Sequence, residues 1–215
     1  MIHNFSKDRS IIQTFIAELR DSSIQKDSMR FRRNLERISE ILAYELSKEL
    51  KYKKVNVTTP LGIANMELVE EQPILATILR AGLGMHSGLL NYFDRADSAF
   101  ISAYRKHSSK ESFDIHVEYL ASPNIDDKTL IISDPMLATG NSMAMVYKSL
   151  LSQGKPSKLI IVSAIATPKA LKFLEKELPK SSTYYIGAID NKLTAESYIV
   201  PGLGDAGDLA YGTKI

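Results

Sequence analysis

Apolar positions recur at two different periods along this chain, and the change of period divides it. Up to residue 50 the spacing is helical: Ile11, Ile12, Phe15, Ile16 and Leu19 form one stripe, and Leu35, Ile38, Leu42, Leu46 and Leu50 form another. Charged residues fill the other faces, which predicts amphipathic helices within about residues 8–50 that pack on something larger. The arginines of this region (Arg20, Arg30, Arg32, Arg33 and Arg37) read as solvated or subunit-facing surface. From Val55 the pattern changes. VNVTT and ANMELVEE flank a Pro-Leu-Gly turn and predict a β-hairpin. Continuous apolar runs follow at Pro73–Leu79, Ala99–Tyr104, Thr129–Ser133, Lys158–Ala164 and Thr183–Ile189, with helix-like segments at Met85–Phe93, Ser142–Gln153 and Pro168–Leu178. Apolar strands alternating with helices predict an α/β fold, a parallel sheet with helices on both faces. Phe113–Leu120 alternates instead and reads as a half-exposed antiparallel arm. In such sheets chemistry gathers at the carboxyl ends of the strands. The loops after Leu79, Tyr104, Ser133 and Ile189 are therefore the places to look.

Composition narrows the function classes. A chain of 215 residues with 44% hydrophobic and 24% charged residues suits one α/β domain with a substantial core. A net charge of +2 gives no global case for nucleic-acid binding. The absence of cysteine excludes disulfides and thiolate chemistry. The N-terminus MIHNFSKDRS lacks an apolar run for a signal peptide, and no stretch reaches the length of a membrane span. A cytoplasmic protein is the expectation. The histidines (His3, His86, His107 and His116) show no metal-ligand spacing; His86 reads as packed or surface. Glu70-Glu71 and Asp126-Asp127 read as solvated turns, and Met136, Met143 and Met145 as packing.

The loop after Thr129–Ser133 reads D-P-M-L-A-T-G-N-S and leads into a helix. A helix start leaves backbone N–H groups unpaired and adds partial positive charge, which favours phosphate. Gly140 allows close backbone approach, Thr139 and Ser142 offer hydroxyls, and the carboxylate of Asp134 suits sugar hydroxyls. A plain β–α turn with a capping hydroxyl residue fits these generic features equally well. Gly-Lys-Ser/Thr and G-x-G-x-x-G are both missing, so this is neither a Walker loop nor a dinucleotide fingerprint. The tail Pro201–Gly212, PGLGDAGDLAYG, mixes glycine and aspartate with apolar residues and reads as a folded loop with tight turns.

Particular strings carry a resemblance. D-P-M-L-A-T-G-N-S resembles the PRPP (phosphoribosyl pyrophosphate) loop of type I phosphoribosyltransferases in the form used by uracil phosphoribosyltransferases. I-L-R-A-G-L-G-M around Arg80, A-Y-R-K ending at Lys106, and Y-I-V-P-G-L-G-D-A-G-D from Tyr198 match the same family in its order and rough spacing. The family loop ends Gly-Gly-Ser where this chain has Gly140-Asn141-Ser142. Asparagine tolerates left-handed backbone better than most residues, so the loop is expected to keep its shape with Asn141 in that place. After Tyr104-Arg105 the family continues Asn-Glu or Asp-Glu; this chain has Lys106-His107, and Lys106–Ser112 reads as a flap.

The resemblance implies transfer of phosphoribose from PRPP to uracil, giving UMP and pyrophosphate. It implies one domain over 1–215: helices at about 8–50, a core at about 55–190 and a C-terminal uracil loop at about 190–212. PRPP would be held by Arg80, Arg105, Asp134, Pro135, Met136, Leu137, Ala138, Thr139, Gly140, Asn141, Ser142 and Asp205. Uracil would be held by Ile199, Gly204, Asp205 and Ala206, with Arg80, Arg105, Asp134 and Asp205 closest to the chemistry. Mg²⁺ would arrive with PRPP, held by substrate oxygens and water and reached at most by Asp205. Family members form dimers or larger assemblies, and some respond to GTP. Two alternatives stay open at this point: a phosphoribosyltransferase for another base, and a PRPP- or UMP-sensing regulator on the same fold.

Overall fold

The computed structural model of the chain describes residues 1–7, 9–107 and 113–214. The chain enters its main sheet at once through β1 (Ile2–Asn4), a strand too short to leave a periodic signal. Helices α1 (Ile12–Arg20) and α2 (Ser28–Ser47) follow. Both bury the stripes that predicted them: Ile12, Ile16 and Leu19 on α1, and Leu35, Ile38, Leu42 and Leu46 on α2. Each fully buried side chain of this size contributes about 1.5–3 kcal/mol. Helix α2 starts where the Asp27 carboxylate accepts the N–H groups of Met29 and Arg30, which would otherwise lack partners. Strands β2 (Tyr52–Thr59) and β3 (Gly62–Val69) form the expected hairpin, which leaves Leu61, Ile63, Met66 and Leu68 exposed.

The core then alternates as the apolar runs predict: β4 (Ile74–Leu79), α3 (Leu83–Tyr92), β5 (Ser98–His107), β6 (Phe113–Ala121), β7 (Thr129–Ser133), β8 (Met136–Leu137), α4 (Asn141–Leu150), β9 (Lys158–Ala166), α5 (Pro168–Glu177) and β10 (Thr183–Ile189). The main sheet runs β1-β10-β9-β7-β4-β5-β6, with short β8 added beside β9. All neighbours are parallel except β6, which returns antiparallel to β5 as its alternating pattern predicts. The core strands are buried on both faces. Leu75, Ile131 and Val162 pack beneath α1, α2 and α3, while Ala76, Ile132 and Ile161 pack beneath α4 and α5. After β10, β11 (Lys192–Leu193) and β12 (Ile199–Val200) pair with each other and lead to α6 (Ala206–Tyr211). No helix of the described residues is long and apolar enough to cross a membrane.

The strand order positions the site. From β4 the chain places β5 on one side, and β7, β9 and β10 on the other. The order therefore reverses between β4 and β7, where open α/β sheets form a crevice beyond the carboxyl ends of their strands.

Candidate active site

The seam between β4 and β7 is closed by buried hydroxyls. Thr77 lies opposite Ser133 in the ladder. Ser133 Oγ donates to Ala76 O at 3.3 Å and lies 3.3 Å from Thr77 Oγ1. Gly82, just before α3, fits against this seam only because it has no side chain. A Cβ there would stand 2.2 Å from Thr77 Oγ1 and 3.1 Å from Ser133 O. The loops carrying Arg80 and Asp134 thus leave the sheet side by side.

Asp134 follows directly. Its N–H donates to Val162 O at 3.1 Å, extending the β7–β9 ladder by one residue. Its side chain is half-buried and accepts a long bond from Met136 N at 3.4 Å. Loss of hydration outweighs that bond and pushes the carboxyl up to about 7. The loop beyond is held from behind. Pro135 O accepts Ile165 N at 3.0 Å, Leu137 O accepts Thr167 N at 3.0 Å, and Ala138 O accepts Thr167 Oγ1 at 2.7 Å. Thr167 also caps α5 through Ala170 N at 3.0 Å, so one side chain joins the loop to the next helix. The one signal in sequence that points to Thr167 is Thr-Pro before an apolar stripe, which marks a helix start.

Gly140 is left-handed, with φ 86° and ψ −10°. A Cβ there would lie 3.0 Å from side-chain atoms of Leu174 and Phe173, so conformation and space both require glycine. Asn141 was expected to need left-handed tolerance. Instead it is the first residue of α4, in ordinary helical backbone, because Gly140 alone makes the turn. Gly140 offers no capping side chain, and Thr139 Oγ1 accepts only a long bond from Asn141 N at 3.5 Å. Its first turn faces the loop with Thr139 and Ser142 half-buried beside it, which is the arrangement an anion favours.

Arg80, one residue beyond β4, turns toward the C-terminal segment. Its Nη2 donates to Gly212 O at 2.9 Å and Asp208 Oδ1 at 3.2 Å, while buried Nε has no protein partner. Arg105 lies in β5, its backbone paired with Ile115 of β6. Its side chain, like all those of residues 103–117, lies outside the described residues. Lys106 and His107, expected in a flap, instead continue β5 opposite Asp114 and Phe113. The remainder, 108–112, also lies outside the described residues. His86, expected either packed or at the surface, is buried, hydrogen-bonded with Ser98 Oγ at 3.1 Å and edge-on to Phe100, and burial pushes its imidazole pKa down.

The C-terminal loop is anchored from elsewhere. Ile199, Leu203, Ala206 and Ala210 sink into the core under α1–α3. Gly204, at φ 84°, lies at the exposed tip. Asp205 caps α6 through Asp208 N at 3.0 Å. Arg20 grips Asp190 through both guanidinium arms, at 2.7 and 2.9 Å, and donates to Gly202 O at 3.0 Å. Arg32 donates to Ala210 O at 2.6 Å. These two arginines were expected on solvated or subunit-facing surface; they are internal anchors of the loop. Nothing in a helical stripe distinguishes them from Arg30 and Arg33, which do pair with surface glutamates.

Residues 6–213 match the family model described as uracil phosphoribosyltransferase. The uracil phosphoribosyltransferase of Porphyromonas gingivalis strain W83 is 53% identical over 208 residues, covering 97% of this chain and 96% of that one. That of Thermococcus gammatolerans is 33% identical over 212 residues, covering 97% and 92%. Among solved structures, the AQ2163 protein from Aquifex aeolicus matches with TM-score 0.87 and 30% identity across the whole of both chains. A hypoxanthine phosphoribosyltransferase from Staphylococcus aureus, 19% identical, matches 75% of this chain and 76% of its own at TM-score 0.51 and shares the fold.

Proposed function

Since the chain belongs to the uracil phosphoribosyltransferase family and so joins uracil to PRPP, giving UMP and pyrophosphate, we propose how its residues divide that work. The observation that carries the assignment is the meeting of three elements at the β4–β7 reversal: the loop into α4, Arg80, and the C-terminal loop that Arg80 touches. Backbone N–H groups of Leu137–Ser142, with the Thr139 and Ser142 hydroxyls, hold the 5′-phosphate. Asp134 takes the ribose hydroxyls. A uracil ring nitrogen attacks the anomeric carbon as the bond to pyrophosphate breaks, through an oxocarbenium-like transition state analogous to that of glycoside hydrolysis. Arg80 and Arg105 take charge that develops on the departing pyrophosphate, in the forked geometry guanidinium offers phosphate oxygens. To do so, Arg80 exchanges Gly212 O and Asp208 for substrate oxygens. Ile199, Gly204, Asp205 and Ala206 present the edge of a rigid loop to the base.

Among the described residues, no group of three or more His, Asp and Glu side chains gathers to hold a metal. A Mg²⁺ that arrives on PRPP oxygens would be held mainly by substrate and water, with Asp205 the one protein carboxylate proposed to reach it. When bound it supplies Lewis-acid stabilisation of the diphosphate charge. We read 1–215 as one domain of a cytoplasmic enzyme that self-associates. Support for self-association comes from the β2–β3 hairpin, whose substantial contacts are within itself and whose Leu61 is 100% exposed.

The testing experiment is UMP formation from PRPP and uracil with Mg²⁺, with and without GTP, beside cytosine, orotate and hypoxanthine. Uracil-selective turnover is expected, and a rate change with GTP would assign this chain an effector. Turnover on a different base overturns the role given to the C-terminal loop. Measurable PRPP binding without turnover on any base overturns the catalytic assignment and favours a PRPP sensor.

A further inference from the structure

The C-terminal loop contains few regular backbone bonds, yet a planar base can be read by a loop only if its peptide groups are held in place. Gly202 is where that restraint concentrates. It has φ 61°, and the chain turns so tightly that a Cβ there would stand 2.0 Å from Ile199 O. Both its backbone polar groups are taken by one ion pair. Gly202 N donates to Asp190 Oδ2 at 3.0 Å, and Gly202 O accepts from Arg20 Nη1 at 3.0 Å. The same Arg20 nitrogen reaches Asp190 Oδ2 at 2.7 Å, and Nη2 reaches Oδ1 at 2.9 Å. The peptide planes on either side of Gly202 are thus fixed by a closed ring of charge-assisted bonds.

The pair is itself anchored. Asp190 follows β10, is 7% exposed, and donates its N–H to Ala166 O at 2.9 Å, so it is fixed to the sheet. Arg20 is the last residue of α1, where a cation also complements the carbonyl end of the helix. Gly202 lies between Ile199 on one side and Gly204, Asp205 and Ala206 on the other. Moving it would move every group assigned to the base. Neither Arg20 nor Asp190 was assigned to the site.

We propose that the Arg20–Asp190 pair is a positioning device for base recognition, which sets the backbone at Gly202 and thereby the uracil-reading edge of the loop without touching substrate. The proposal rests on the reading that this loop takes uracil.

The test is steady-state kinetics with each substrate varied, on Arg20→Ala, Arg20→Lys and Asp190→Asn, with Ala206→Val as a probe of the loop and thermal unfolding of each. Arg20→Ala is expected to raise KM for uracil by about tenfold to a hundredfold, the scale of a misplaced contact, with KM for PRPP within about twofold of wild type. Arg20→Lys, which keeps the charge but not the fork, should fall between. Asp190→Asn keeps size and an acceptor oxygen, and serves as the folded variant if Arg20→Ala does not fold. A raised KM for uracil in Ala206→Val, with no change in the Arg20 and Asp190 variants, overturns the clamp and leaves the loop reading standing. An unchanged KM for uracil in all of them overturns the loop reading itself. Equal losses toward both substrates in step with falling melting temperature reduce the pair to a structural role and also overturn the proposal.

Discussion

The two loops assigned to substrate are held in opposite ways. The phosphate loop, Asp134–Ser142, is supported by its nearest structural neighbours: the ladder to β9, Thr167 behind it, and α4 growing directly from it. The C-terminal loop, Ile199–Gly212, is held by side chains from three remote elements. Arg20 ends α1, Arg32 lies in α2 and Arg80 follows β4. Backbone ladders fix a loop through bonds that almost any sequence can make. Guanidinium anchors fix it through particular residues more than 130 positions away in sequence. Substitutions should therefore act locally on the first loop and at a distance on the second.

Arg80 and Arg105 separate these cases with the largest expected effect. Arg80→Ala and Arg105→Ala should each lower turnover by about 10²–10³, the scale for removal of one preorganised charge donor. Arg80 also supports Gly212 and Asp208, so its loss should raise KM for uracil as well, while loss of Arg105 should not. Turnover of Arg105→Ala within about threefold of wild type would remove Arg105 from the mechanism. An unchanged KM for uracil in Arg80→Ala would show that the bonds to Gly212 and Asp208 are incidental.

The same contrast explains what was legible in sequence. The sheet could be read because apolar runs such as Thr129–Ser133 and Thr183–Ile189 announce buried strands without reference to partners; both keep their expected bounds. The phosphate loop was readable because strand, acid, glycine and helix occur in one local string. Gly140 was recognised for close backbone approach, and Asn141 was expected to leave the loop's shape intact; the left-handed turn itself falls on Gly140, so Asn141 needs no special tolerance. The strings Y-I-V-P-G-L-G-D-A-G-D and I-L-R-A-G-L-G-M pointed, by resemblance, to the segments proposed for uracil and pyrophosphate, but not to what holds those segments. Arg20 and Arg32 sit on helical stripes where solvated arginines are the ordinary expectation, and their partners Gly202 and Ala210 are backbone groups that carry no pattern. β1 was missed because its three residues are shorter than any period.

Gly140→Ala is the next test of independence. A side chain at φ 86° costs about 1–2 kcal/mol and would press on Leu174 and Phe173. The turn into α4 should shift, lowering kcat/KM for PRPP by about 10²-fold, the effect of an ångström-scale misplacement. KM for uracil should hold. An equal loss toward both substrates would mean the two loops move together, which would break the comparison.

The smallest expected effect concerns stability, and it bears on the phosphate loop alone. Asp134 is pushed up to about 7 by loss of hydration, far above the usual carboxylate value of about 4. The folded state therefore holds a proton that the unfolded chain releases at lower pH. Between those values the native state binds more protons, so stability falls as pH rises, and the full cost is present above about 7. Below about 4 both states are protonated and the cost is absent. Asp134→Asn carries no such charge. In the free enzyme its melting temperature should exceed that of wild type at pH 8, with the gap narrowing steadily toward pH 4 even as activity is lost. PRPP should narrow the gap at pH 8 in the wild type, because ribose hydroxyls would then satisfy the carboxylate. A gap that does not change with pH would mean that Asp134 is well solvated when the site is empty. The phosphate loop would then be no better shielded from water than the exposed tip at Gly204.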